Sequence, residues 1–176
     1  MPKRKRPRRG SLAFYPRKRA RRIYPRLKSY PKIEKPRLLA FAAYKAGMRS
    51  AFILDNNKNS PTYGQEIAVP VTVLDAPPIF ICGIRAYEQT KKGLKTFTEV
   101  WSEKVPKEIE RKTFAGKFDE KKLKEIEENL DKIAEIRVIA CTQPKKSGIG
   151  KKKPELFEVP IGGGVKEKFE LAKSLL

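Results

Sequence analysis

Histidine is missing from all 176 residues of the chain. Its absence removes the commonest general base, the Ser/His and Cys/His pairings of nucleophilic catalysis, and the usual transition-metal ligand. Cysteine is nearly as scarce: Cys82 and Cys141 stand alone, without CxxC spacing. Neither a zinc site nor a disulfide scaffold is indicated, and the apolar flanks Ile81, Gly83 and Ala140 read as those of two buried thiols in a reducing compartment. No apolar run approaches the ~18 residues that a membrane span needs. The N-terminus carries cations without the apolar stretch of a signal peptide. Phosphate-loop patterns are missing as well: Gly162-Gly163-Gly164 ahead of a helix fits neither GxxxxGK(S/T) nor GxGxxG and reads as a flexible turn. The carboxylates gather over Asp119–Asp131, interleaved with Lys121, Lys122 and Lys124, the pattern of a solvated helix surface rather than of a catalytic pair. No catalytic residue, metal site or cofactor is expected.

Acid is almost absent from the first 37 residues, where Glu34 alone faces 16 of the chain's 41 Lys and Arg. That segment therefore holds +15 of the +21 net charge, including ten of the fourteen arginines. Pro2, Pro7, Pro16, Pro25, Pro31 and Pro36 thread through it and keep it extended rather than helical. So much like charge with so little apolar surface cannot offset its own ordering entropy, and needs a polyanion. Arginine suits phosphate because its planar fork matches two oxygens at once and also stacks on bases. The candidate phosphate contacts are Lys3, Arg4, Lys5, Arg6, Arg8 and Arg9, then Arg17, Lys18, Arg19, Arg21 and Arg22, then Arg26 and Lys28. Phe14, Tyr15 and Tyr24 are candidates to stack on unpaired bases. A nuclear-localisation or membrane-surface signal is the plain alternative. Those signals are short clusters, whereas this one spans 37 residues with interleaved aromatics, which favours RNA.

Residues 38–176 hold 25 basic and 19 acidic residues, a near-ordinary balance, with enough Ile, Leu, Val and Phe for a core. Cationic charge confined to one segment is the footprint of a nucleic-acid binder. The 27 lysines and 16 glutamates are compatible with a heat-adapted source. Leu38–Ala43 reads as a strand, Tyr44–Met48 as a turn around Gly47, and Ala51–Leu54 as a second strand. The turn-former run Asp55–Gly64 reads as an exposed hairpin loop. Glu66–Leu74 alternates, with Ile67, Val69, Val71 and Val73 on one face, and Pro70 argues for an edge or bulge. Ile79–Tyr87 and Leu94–Trp101 follow as strands around a basic turn at Thr90–Gly93. Asp119 caps an amphipathic helix to Ile133 with Leu123, Ile126, Leu130 and Ile133 on its apolar face. Strands at Ile136–Thr142 and Leu156–Ile161 flank the basic loop Lys145–Lys153. Val165, Phe169, Ala172 and Leu176 line one face of a closing helix. Short spacing between strands predicts a mainly β chain with some α, as a small antiparallel barrel or sandwich. Lys145, Lys146, Lys151, Lys152 and Lys153 are either a solvated loop or a second set of phosphate contacts, since glycine lets backbone approach closely.

Particular runs then carry a resemblance. PRRGSLAFYPRKRARR (Pro7–Arg22), PRLLAFAAYKAGM (Pro36–Met48), NSPTYGQEIAVPVTVLDAPPIFICGIRAYE (Asn59–Glu88), TQP (Thr142–Pro144) and KKKPELFEVPIGGG (Lys151–Gly164) resemble the archaeal and eukaryotic ribosomal protein L-three family. The resemblance covers nearly the whole chain. It implies half of a split translation-protein-like β-barrel with a helical insertion at about 104–134 and a closing helix at about 165–176. This barrel portion, residues 38–176, would follow an extended basic tail over residues 1–37. It implies a non-enzymatic constituent of the large ribosomal subunit in the cytoplasm, binding large-subunit rRNA and neighbouring ribosomal proteins and supporting assembly. Arg8, Arg9, Arg17, Lys18, Arg19, Arg21 and Arg22 match the family's basic start. Lys45, Gly47 and Met48 match its lysine–glycine–methionine turn, which adds Lys45 to the RNA-binding candidates. Ala43 and Arg49 depart from the family's usual glycine and threonine. A free-standing nucleic-acid-binding or RNA-chaperone protein is the alternative. Family members are about twice as long; if Leu176 is the true terminus, unpaired sheet edges and an exposed apolar face on the Val165–Leu176 helix are expected, covered by a separate polypeptide that supplies the C-terminal half, and the rival reading is a truncated sequence.

Overall fold

The computed structural model describes residues 10–25, 27 and 29–176. The chain divides into two units, Met1–Tyr30 and Pro31–Leu176. The described residues of the first unit form bends and a single turn, with neither helix nor strand. That outcome follows from a composition without apolar periodicity.

The second unit begins with a two-stranded antiparallel sheet. Strand β1 (Tyr44–Leu54) pairs with β2 (Glu66–Asp75), Tyr44 opposite Asp75 and Leu54 opposite Glu66. The expected turn at Tyr44–Met48 does not form. The strand runs straight through it, with a bulge between Lys45 and Gly47 that leaves Ala46 without a partner while Gly47 pairs with Val73. Pairing with β2 outweighs the local preference, and the bulge beside Gly47 absorbs the irregularity. The expected strand at Leu38–Ala43 reduces to one bridge, Leu38 to Ile161. The turn-rich connection closes as the sequence indicated. Asp55 Oδ1 accepts from the Asn57 N–H at 2.9 Å and Oδ2 from the Thr62 hydroxyl at 2.6 Å. Hydrogen bonds from Thr62 and Ser60 hold the Asp55 carboxyl below its usual range.

Strands β3 (Phe80–Thr90), β4 (Gly93–Trp101), β5 (Ile133–Cys141) and β6 (Leu156–Pro160) form a second antiparallel sheet in the order β4-β3-β5-β6. Gly83 sits where β3 passes β4 so closely that a Cβ would collide with the Val100 carbonyl oxygen. Helix α1 (Glu120–Glu128) is capped by Asp119, whose carboxylate accepts from the Lys121 N–H at 3.0 Å. It stops short of the expected Ile133. A single 3-10 turn at Leu130–Lys132 intervenes, and Ile133 becomes the first buried residue of β5.

One face of this sheet builds the main core. Ile84, Ala86, Val100, Ile136, Val138, Ala140 and Val159 pack with Leu123 and Ile126 of α1 and with Phe169 and Ala172 of helix α2 (Val165–Ser174). The apolar face of the closing helix is thus covered by the chain's own sheet, contrary to expectation. The hairpin instead carries exposed apolar residues: Met48, Phe52, Ile53, Leu54, Val73 and Leu74 are all exposed, Phe52 by 75%. A smaller cluster on the other face joins Cys82, Ile139 and Cys141 to Ile109, with Trp101 and Ala115 against it. Both thiols are buried and free, as read from their flanks.

The glycine triplet is a packing device rather than a loose turn. The Gly163 N–H donates to the Ile33 carbonyl at 2.8 Å and the Gly162 N–H to that of Arg37 at 2.9 Å. The segment from Ile33 to Leu39 thereby straps across the end of β6 and the start of α2. A Cβ on Gly162 would stand 3.0 Å from the Lys35 carbonyl oxygen and one on Gly163 3.3 Å from that of Glu34, tight against the strap's backbone.

Candidate nucleic-acid interface

In the first unit, arginine and aromatic side chains are already stacked in pairs. The Arg17 guanidinium lies 5.1 Å from the centre of the Tyr15 ring, and that of Arg22 lies 5.6 Å from that of Tyr24. Such pairs hold a cation over a π-face and leave the guanidinium edge for phosphate. Phe14 is 78% exposed, and Lys18, Arg19 and Arg21 are exposed beside it. Lys3, Arg4, Lys5, Arg6, Arg8, Arg9, Arg26 and Lys28 lie outside the described residues.

In the second unit Lys45 is exposed on β1, opposite Leu74. The Lys145–Lys153 loop is held at several points. It opens on the 3-10 turn Pro144–Lys146. Lys145 pairs with Glu108, whose carboxyl is held below its usual range chiefly by that lysine. The Ser147 hydroxyl donates to the Asp75 carboxylate at the end of β2, and the Tyr44 hydroxyl donates to Thr142 at 2.9 Å. The base of the hairpin is therefore tied from both strands, by Tyr44 to Thr142 just before this loop and by Asp75 to Ser147 within it. Lys151 Nζ lies 2.8 Å from Glu155 Oε1, and Lys112 Nζ lies 2.8 Å from Oε2. Glu155 is only 8% exposed. Burial raises its pKa, and the two lysines outweigh burial, so the carboxyl stays below its usual range. Lys146, Lys152 and Lys153 are exposed and have no carboxylate partner among the described residues.

The body's arginines behave differently. Arg85 donates to Glu99 at 2.7 Å and to Glu158. Arg137 reaches both oxygens of Glu135 at 2.9 and 3.0 Å and stacks 5.0 Å from the centre of the Tyr87 ring. Tyr87 closes the network on Glu158 at 2.7 Å. Burial works against the charge on Arg85, yet the hydrogen bonds to Glu99 and Tyr87 and the charges of Glu99 and Glu158 raise its pKa. These two guanidiniums stitch β3, β4, β5 and β6 together, so charge alone does not mark an RNA contact. Sequence reasoning missed Lys112, Glu108 and Glu155 as anchors. The Lys151–Glu155 spacing of four was a usable signal; Lys112 and Glu108 come from a distant segment with none.

The sequence profile described as Ribosomal protein L3 matches residues 1–176. The chain belongs to the ribosomal protein L3 family. The large ribosomal subunit protein uL3 of Methanococcus maripaludis (strain C7) is 49% identical over 176 residues, covering 99% of this chain and 53% of the relative. That of Methanopyrus kandleri is 51% identical over 177 residues, covering 97% and 49%. That of Pyrobaculum arsenaticum is 49% identical over 179 residues, covering 97% and 53%. The chain spans about half the length of the curated L3 relatives it matches.

Proposed function

We propose that this chain is a structural constituent of the large ribosomal subunit that binds large-subunit rRNA, supports its assembly and has no catalysis of its own. The observation that carries the reading is a family match over the whole chain, to relatives named for that subunit, joined to a cationic segment whose described residues through Tyr30 form neither helix nor strand. The first unit threads between RNA helices as an extended anchor, with Arg17, Lys18, Arg19, Arg21 and Arg22 on phosphates and Phe14, Tyr15 and Tyr24 against bases. Lys45 and the Lys145–Lys153 loop add contacts from the folded body. The two sheets form part of a split β-barrel of the translation-protein type, in the cytoplasmic ribosome.

The exposed apolar residues of the hairpin support a protein partner on that surface. A two-stranded sheet is marginal on its own, and Phe52 and Leu54 at one end of the hairpin with Met48 and Leu74 toward the other, all exposed, mark a surface that another protein segment covers. The partner is the second half of the family fold, beside neighbouring ribosomal proteins. Sedimentation of native large subunits through a high-salt wash tests the reading. Retention of the chain with the subunit supports it; quantitative release would favour a free-standing RNA chaperone.

A further inference from the structure

The five lysines of the Lys145–Lys153 loop are not equivalent. Lys145 is tethered by Glu108 and Lys151 by the buried Glu155, which Lys112 holds from its other oxygen. Ser147 ties the loop's middle to Asp75. Between these tethers Gly148 and Gly150 have open space where a side chain would be, so a ligand can approach the backbone there. A loop held at three points loses little further backbone freedom on binding, so the Cα positions of Lys146, Lys152 and Lys153 are set in advance.

We propose that this loop is a preorganised site for RNA backbone phosphates, in which Lys146, Lys152 and Lys153 touch the phosphates and Lys151 is a positioning residue acting through Glu155. The inference deepens the RNA-binding reading and rests on it. Moving Lys151 onto a phosphate would strip one counter-charge from a carboxylate that is nearly out of water, whereas Lys146, Lys152 and Lys153 have no such tie. The loop therefore sorts its lysines by what lies beneath them.

The test uses the full chain and an in vitro transcript of an archaeal large-subunit rRNA, with affinity measured across a salt series. Removing one lysine from a phosphate shallows the slope of log affinity against log salt by ~0.7–0.9. The triple change Lys146→Gln, Lys152→Gln and Lys153→Gln is expected to shallow the slope by about 2 to 3. Lys151→Gln is expected to weaken binding with the slope unchanged, and Lys151→Arg, which keeps the pair with Glu155, to restore the affinity. A slope change for Lys151→Gln as large as that for Lys152→Gln would overturn the assignment, as would an unchanged slope for the triple variant. Lysine acetylation of the wild-type chain needs no variant: adding the transcript is expected to protect Lys146, Lys152 and Lys153 more than Lys151, and equal protection counts against the proposal. If the transcript does not bind at all, the RNA-binding reading falls with it; if it binds without this partition, only the loop assignment falls.

Discussion

Gly163→Ala is expected to unlatch the strap. Gly163 has φ +92°, a region that costs a residue with a Cβ about 1–2 kcal/mol. The added methyl would also stand 2.7 Å from Glu167 Oε2, and 3.3 Å from both the Glu34 carbonyl oxygen and the Pro36 Cα. Glu167 can swing aside, at the expense of its 3.0 Å hydrogen bond from the Gly164 N–H at the start of α2. The strap backbone cannot retreat without breaking the Gly163-to-Ile33 hydrogen bond at 2.8 Å. Strain and overpacking together come to about 2–4 kcal/mol. For a chain of this length that lowers the melting temperature by roughly 5–15 °C. Gly148→Ala is the control, because nothing lies within 4 Å of its added methyl, and it should stay within about 0.5 kcal/mol of wild type. Thermal denaturation followed by circular dichroism reads both. In a Glu167→Ala background the Gly163 substitution should still destabilise, since the backbone neighbours and the φ remain. A Gly163→Ala protein that melts with the Gly148→Ala control would refute the packing role given to the triplet.

Other outcomes follow from the same geometry. Ile84→Ala and Ile136→Ala, both fully buried, should each cost about 2–5 kcal/mol, whereas Ile67→Ala on the half-exposed hairpin should cost clearly less; chemical denaturation gives the comparison. Glu155 has a folded pKa depressed by Lys112 and Lys151 against burial, so its contribution is present above the ordinary glutamate pKa and is lost as pH falls through the lower folded value. The stability gap between wild type and Glu155→Gln, measured across a pH series, should therefore narrow in acid and not in base. Arg17→Gln, Arg19→Gln, Arg21→Gln and Arg22→Gln combined should shallow the salt dependence of rRNA binding by about 3 while the melting temperature of the RNA-free chain holds; an unchanged slope would remove these arginines from the interface.

Much of the sheet was legible because its signals are local. The alternation of Glu66–Leu74, the doubly apolar Ile79–Tyr87 run and the Asp119 cap each depend on neighbours a few residues away. What escaped the sequence was set by distant partners. Gly47 looked like a turn because nothing nearby announces that β2 will pair across it and leave a bulge. The triplet at Gly162–Gly164 looked flexible because the strap that fills it lies more than a hundred residues earlier. The Val165–Leu176 helix was expected to be bare for the same reason: its cover is the sheet face of Ile136, Val138 and Val159. At the candidate interface the cationic character of both segments was plain from composition. The division of labour within Lys145–Lys153 was not, since it depends on Glu108 and Lys112 folding against it.

The central claim, a large-subunit constituent anchored in rRNA, meets its most direct test in a density map of the salt-washed archaeal large subunit. The account predicts this chain in place, its first thirty residues threaded between rRNA helices with Arg17, Arg19, Arg21 and Arg22 at phosphates. It also predicts another protein segment against Phe52, Leu54 and Leu74. A subunit map without the chain, or with those arginines turned to solvent and the hairpin packed on nothing, would contradict it.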